Sequence, residues 1–168
     1  MSASSLEAEV NALKNEVALL KERYGPTFSR RVTINTLLND VDKYMNTYIG
    51  VGGWIRTARS SGSSIGFIKL WDGSVGTDLQ IVIDDTTICE NDSFKQIVSG
   101  STGSCLFIEG KVVPSLGKEQ LVELQASRVK IVGTCDAQTF PLAKSKMPLT
   151  YLRDICHMRP RSRVIQAA

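Results

Sequence analysis

Catalytic raw material is scarce in this chain. Its 168 residues include one histidine, His157, and four cysteines, Cys89, Cys105, Cys135 and Cys156, with no CxxC pair among them. One histidine leaves almost nothing from which to build a Ser/His/Asp relay or a histidine-based metal centre. The cysteine spacing offers neither a zinc ligand set nor a disulfide framework, so the thiols read as reduced and mostly buried. No G-x-G-x-x-G or G-x-x-x-x-G-K-[ST] phosphate loop occurs. The acidic pairs Asp84-Asp85 and Glu90/Asp92 fall at a strand end and in a polar connector, where they read as solvated. No run approaches the ~18 apolar residues of a membrane span. The opening MSASSLEAEV lacks the basic and apolar regions of a signal peptide. The expectation is a cytoplasmic protein with no catalytic residue and no metal ligand of its own.

Charge of one sign is also lacking: the net charge is +3. That permits a local basic patch for nucleic acid without arguing for one. The apolar fraction, 42%, is enough for a real core in one domain with a short appendage.

The appendage is legible first. Leu6, Val10, Leu13, Val17, Leu20 and Tyr24 alternate at four and three residues, an a/d seam, with Glu9 and Glu16 at g and Lys14 and Lys21 at e. Ser4 with Glu7 makes a capping-box start, and Gly25-Pro26 makes a stop. The pattern predicts an N-terminal helix over 1–25. It leaves open a coiled-coil homodimer and an amphipathic helix laid on another surface, because the seam is shorter than three full heptads. Residues 26–46 read as a connector with a short helical turn around Thr36–Val41.

From there the chain is strand-like. Runs at about 47–59, 64–72, 78–84, 104–113 and 119–133 are separated by Ser/Gly turns. Asn91, Phe94, Ile97 and Val98 predict a helix between the third and fourth. Five strands with a helix at that place is the layout of an OB-fold, a small Greek-key barrel, here over 47–135. Residues 136–168 form a Pro-punctuated linker entering a helix-like run from Thr150 to Met158, and the chain is expected to continue in a larger parent.

The strand faces carry the chemistry. Ile68 and Leu70 alternate with Phe67 and Lys69, and Leu79, Ile81 and Ile83 alternate with Gln80 and Val82. If the aliphatic set fills the barrel, Phe67, Lys69 and Gln80 share its outer face. There a ring can stack on a base, an amide can pair with its edge, and a cation can take phosphate. The competing reading covers Phe67 with the connector as core. Arg56 and Arg59 lie an odd number of residues apart, so without a bulge they point opposite ways.

Taken together, GWIRTARSSGSSIGFIKLWDGS followed by DLQIVID resembles the N-terminal anticodon-binding domain of class IIb aminoacyl-tRNA synthetases. FPLAKSKMPLTYLRDICHMRPR is similar to the linker and hinge of the asparaginyl group, where an L-R-x-x-x-H-x-R-P-R run leads into the catalytic domain. The resemblance covers roughly residues 30–162. It implies an OB-fold that reads the anticodon of tRNA, tRNA-Asn in this group. Carried over, Phe67 would stack on the central uracil, Gln80 would pair with its edge, and Arg59 would lie near the anticodon loop. Lys69 reads as a phosphate contact or as a solvated strand lysine. The loop from Pro114 to Glu119 lies where the family discriminates the third anticodon base.

His157, Arg159 and Arg161 read as hinge and interdomain contacts. No motif-2 or motif-3 arginine arrangement of a class II catalytic domain follows. ATP and magnesium, and the attachment of asparagine, are therefore expected only in the catalytic domain of a parent enzyme, which could also contribute a homodimer contact. Val82 departs from the family, standing where aspartyl relatives often have a second aromatic, and the turn between the first two strands is one residue longer than in compact bacterial relatives. A free-standing OB interaction module and a general single-stranded nucleic-acid binder remain the rival readings.

Overall fold

The computed structural model describes residues 13–15, 31–62, 64–90, 96–97, 102–115, 117, 120–136, 138–142 and 147–166. The chain divides into two compact units, Met1–Arg31 and Val32–Ala168. In the first, residues 13–15 are helical and exposed; the remainder of the expected N-terminal helix and its seam lies outside the described residues.

The second unit is built on strands β1 (Tyr48–Ser61), β2 (Ile65–Trp71), β3 (Leu79–Asp84), β4 (Ile88–Glu90), β5 (Cys105–Pro114) and β6 (Val122–Gly133). Antiparallel pairing joins β1 to both β2 and β5, β2 to β3, and β5 to β6. A parallel contact between β3 and β6, with Ile81 opposite Leu124 and Val82 opposite Gln125, closes five strands into a barrel. Closure removes the sheet edges that would otherwise invite pairing with another chain. Strand β4 adds to the outside of the ring, parallel to β6. The sequence reading missed it, since three residues are too short to show alternation.

Alternation decides what fills the barrel. Ile68, Leu70, Ile81, Ile83, Leu106, Ile108, Val112, Val122, Leu124 and Val129 are fully buried. Each such side chain contributes about 1.5–3 kcal/mol relative to exposure. Strand β1 serves both halves of the barrel and must pass close to its neighbours. A Cβ on Gly53 would lie 2.6 Å from the Trp71 carbonyl oxygen, so only glycine fits there.

The expected connector is more ordered than its sequence reading. Helices α1 (Ile34–Asn39) and α2 (Val41–Tyr44) replace the single turn expected around Thr36–Val41. Thr33 caps α1 by accepting from the Thr36 amide at 3.1 Å, and Ile34 and Leu37, one turn apart, are fully buried. The Ile34 amide donates to Asp72 at 2.8 Å, which pins the helix to the end of β2. Of the helix expected between the third and fourth long strands, residues 96–97 are described as helical, with Ile97 fully buried; Asn91, Phe94 and Val98 lie outside the described residues.

The tail also differs from the continuous run expected over Thr150–Met158. Helix α3 (Leu149–Asp154) ends in a turn, a 3-10 turn follows at Arg159–Arg161, and α4 (Arg163–Gln166) comes after it. Helix α3 stops where Ile155 leaves helical backbone, at φ −100° and ψ 52°.

Candidate nucleic-acid interface

Strand register brings the outward side chains of β1, β2 and β3 into rows. In one row Arg59 lies opposite Phe67, which lies opposite Val82; in the next, Thr57 lies opposite Lys69, which lies opposite Gln80. Between these rows and the β5–β6 connection is a cleft of about 460 Å³. Thr57, Arg59, Phe67, Lys69 and Gln80 line it from the sheet, and Ser115, Gly117 and Gln120 line it from the connection. All four residues singled out from the sequence therefore stand around one concavity. Phe67 is half-buried and is not among the core side chains, whereas Leu38, Val41 and Tyr44 of the connector pack on that core. The Arg59 guanidinium lies over the Phe67 ring, 5.2 Å from its centroid.

Arg56 takes a different route. The register of β1 against β2 shifts between Ile55 and Thr57, making Arg56 the extra residue of a β-bulge. Its guanidinium lies 4.3 Å from the centroid of the Trp71 ring, its Nε lies 3.6 Å from Asp78 Oδ1, and its Nη1 donates to the Arg161 carbonyl at 2.9 Å. Arg161 in turn lies over Trp54, at 4.7 Å. Arg161 thus docks on the barrel, while His157 and Arg159 remain exposed.

Gln80 is held at both ends. Its backbone amide donates to Gln120 Oε1 at 2.9 Å, and its side-chain Nε2 donates to Glu123 Oε2 at 3.0 Å. Ser115 Oγ donates to the same carboxylate oxygen at 3.1 Å, and Gln120 Nε2 donates to the Asp78 carbonyl at 2.6 Å. Sequence reasoning included Ser115 in the loop from Pro114 to Glu119 without a role of its own, and missed Gln120 and Glu123. The in/out pattern of β6 places Glu123 outward, but only the parallel β3–β6 closure says that it meets Gln80. Of the loop expected to discriminate the third base, Leu116, Lys118 and Glu119 lie outside the described residues.

At the end of β3, Asp84 begins the turn that leads into β4. Its carboxyl is held below the usual carboxylate range, chiefly by the Thr86 hydroxyl donating at 2.6 Å; partial burial opposes this, and donors from Thr87 and the backbone assist. Among the described residues no group of three or more His, Cys, Asp or Glu side chains is placed to hold a metal ion, and no helix is long and apolar enough to cross a membrane.

Residues 49–132 match the family model of the OB-fold nucleic acid binding domain of the tRNA anticodon type. An asparagine--tRNA ligase of Cytophaga hutchinsonii is 36% identical over 133 residues, 79% of this chain and 28% of that protein. One from Clostridium tetani is 38% identical over 138 residues, 82% of this chain and 28% of that protein. The crystal structure of asparaginyl-tRNA synthetase from Pyrococcus horikoshii shares the fold, with a TM-score of 0.65 at 16% identity over 79% of this chain and 30% of that one. The chain thus spans just over a quarter of the length of these relatives.

Proposed function

We propose, from the premise that this chain belongs to the tRNA anticodon family of OB-fold nucleic acid binding domains, that its outer face reads the anticodon of tRNA-Asn. In that reading Phe67 stacks on the central uracil and Gln80 pairs with the uracil edge. Arg59 lies along the anticodon loop, and Lys69 takes a phosphate. The observation that carries it is the convergence of an aromatic, an amide and two cations on one cleft. A base held between ring and amide is read by its edge, while the cations supply affinity that depends on salt.

The whole function proposed is that of an asparagine--tRNA ligase acting in the cytoplasm. The domain positions the tRNA, and ATP-dependent attachment of asparagine with magnesium belongs to the portion of the longer relatives that this chain does not span. A homodimer, through the N-terminal helix or that further portion, is part of the same proposal. Arg161, seated on Trp54, would fix the direction in which the chain leaves the barrel.

The test is fluorescence anisotropy at one fixed salt concentration with labelled anticodon stem-loops, one GUU and one with its central U changed to C. Preference for GUU, with affinity lowered in Phe67→Ala by the ~1–3 kcal/mol of one stacked base, supports the reading. Equal binding to both loops points to a general single-strand binder. No binding to either leaves an interaction module.

A further inference from the structure

A glutamine amide that no neighbour holds can read two pyrimidines. Uracil presents a donor, N3–H, beside an acceptor, O4, so the amide oxygen faces N3 and the amide nitrogen faces O4. Cytosine presents an N4 donor beside an N3 acceptor, the reverse order. A glutamine free to turn over about its last torsion matches either base with two hydrogen bonds.

Gln80 is not free in this way. Its Nε2 donates one hydrogen to Glu123 Oε2 at 3.0 Å, leaving Oε1 and the second Nε2 hydrogen for a ligand in the cleft that Gln80 lines. A carboxylate only accepts, so it fixes which end of the amide faces it. Turning the amide over would replace a charge-assisted hydrogen bond with two oxygens facing each other and no hydrogen between them. Ser115 Oγ donates to the same oxygen, and the Gln80 backbone is anchored on Gln120 Oε1, so neither partner can drift to relieve the contact. Glu123 itself does not line the cleft.

We infer that Glu123 is a positioning residue that locks the Gln80 amide in the orientation matching uracil and thereby rejects cytosine at that position. The inference rests on the anticodon reading above and gives that reading its source of discrimination.

The experiment compares binding of the GUU and GCU stem-loops to the full chain and to Glu123→Gln at one salt concentration. A glutamine at 123 can either donate or accept, so it tolerates both orientations of Gln80. The wild type is expected to favour GUU about ten- to a hundredfold, the scale of one charge-assisted hydrogen bond. In Glu123→Gln that ratio should fall about tenfold, chiefly through tighter binding of GCU with GUU affinity nearly retained. Damage to the fold would weaken both loops alike and leave the ratio unchanged. A wild type that favours GUU beside a variant that favours it equally, with affinity for GUU retained, overturns the lock and leaves the anticodon reading standing. A wild type without preference defeats that reading and the lock with it. If Glu123→Gln does not fold, Ser115→Ala, which loosens the same carboxylate, should lower the ratio two- to threefold, and an unchanged ratio there overturns the lock.

Discussion

Arg161 holds its guanidinium 4.7 Å from the centroid of the Trp54 ring, and the Arg161 carbonyl accepts from Arg56, whose own guanidinium lies over Trp71. Two arginines and two indoles therefore tie the tail to the barrel. The indoles are 5.9 Å apart and are the only two tryptophans in the sequence. Tryptophan emission, excited selectively over the four tyrosines, thus reports on this part of the molecule. Arg161→Ala should change the emission spectrum and lower stability by ~0.5–2 kcal/mol, the value of a cation over an aromatic face. An unchanged spectrum would show that the tail does not dock through Trp54.

The close approach of β1 to β2 makes a second prediction. A methyl group at Gly53 would meet backbone, the Trp71 carbonyl oxygen at 2.6 Å, and not the movable end of a side chain. Gly53→Ala should cost at least the ~1–3 kcal/mol typical of overpacking, read as a lower urea midpoint at unchanged slope. A neutral effect would mean that β1 and β2 part there more easily than their pairing implies.

How far the sequence could be read is clear from these residues. Alternation places Phe67, Lys69 and Gln80 on one face because period-two patterning reports sides of a strand directly. It cannot report an inserted residue, so Arg56 remains ambiguous until the bulge is seen. It also cannot report which outward residues of distant strands become neighbours. Gln80 and Glu123 are 43 residues apart and meet only through barrel closure. The family assignment, in contrast, rests on local motifs, and those are legible in any chain that carries them.

Asp84 gives a pH-dependent prediction. Its carboxyl titrates below its unfolded value of about 3.9, because the Thr86 hydroxyl favours the charged form. The stability it contributes is therefore present above that unfolded value and is lost as pH falls through the lower folded value. Asp84→Asn should destabilise the protein modestly at neutral pH and flatten the acid limb of its stability curve below about pH 4. If the wild type and the variant lose stability in parallel on acidification, the Thr86 bond does not favour the charged carboxylate.

The last prediction separates two roles for Arg59. A cation contacting phosphate releases counterions, so removing it lowers the slope of log affinity against log salt by ~0.7 for a single strand. A guanidinium held over an aromatic ring acts instead through the ring, keeping Phe67 in place to stack on a base. Its centroid distance of 5.2 Å shows the second arrangement in the free protein. Arg59→Lys preserves the charge but lacks the planar face. If Arg59 serves phosphate, Arg59→Lys should keep both slope and affinity, and Arg59→Ala should lose both. If it serves Phe67, Arg59→Lys should keep the slope yet lose affinity several-fold, and the loss should vanish in a Phe67→Ala background, where there is no ring to hold. Lys69→Ala supplies the reference, a slope change with no dependence on Phe67. The position of the guanidinium over the ring favours the second outcome for Arg59, and a full double-mutant cycle over a salt series decides it.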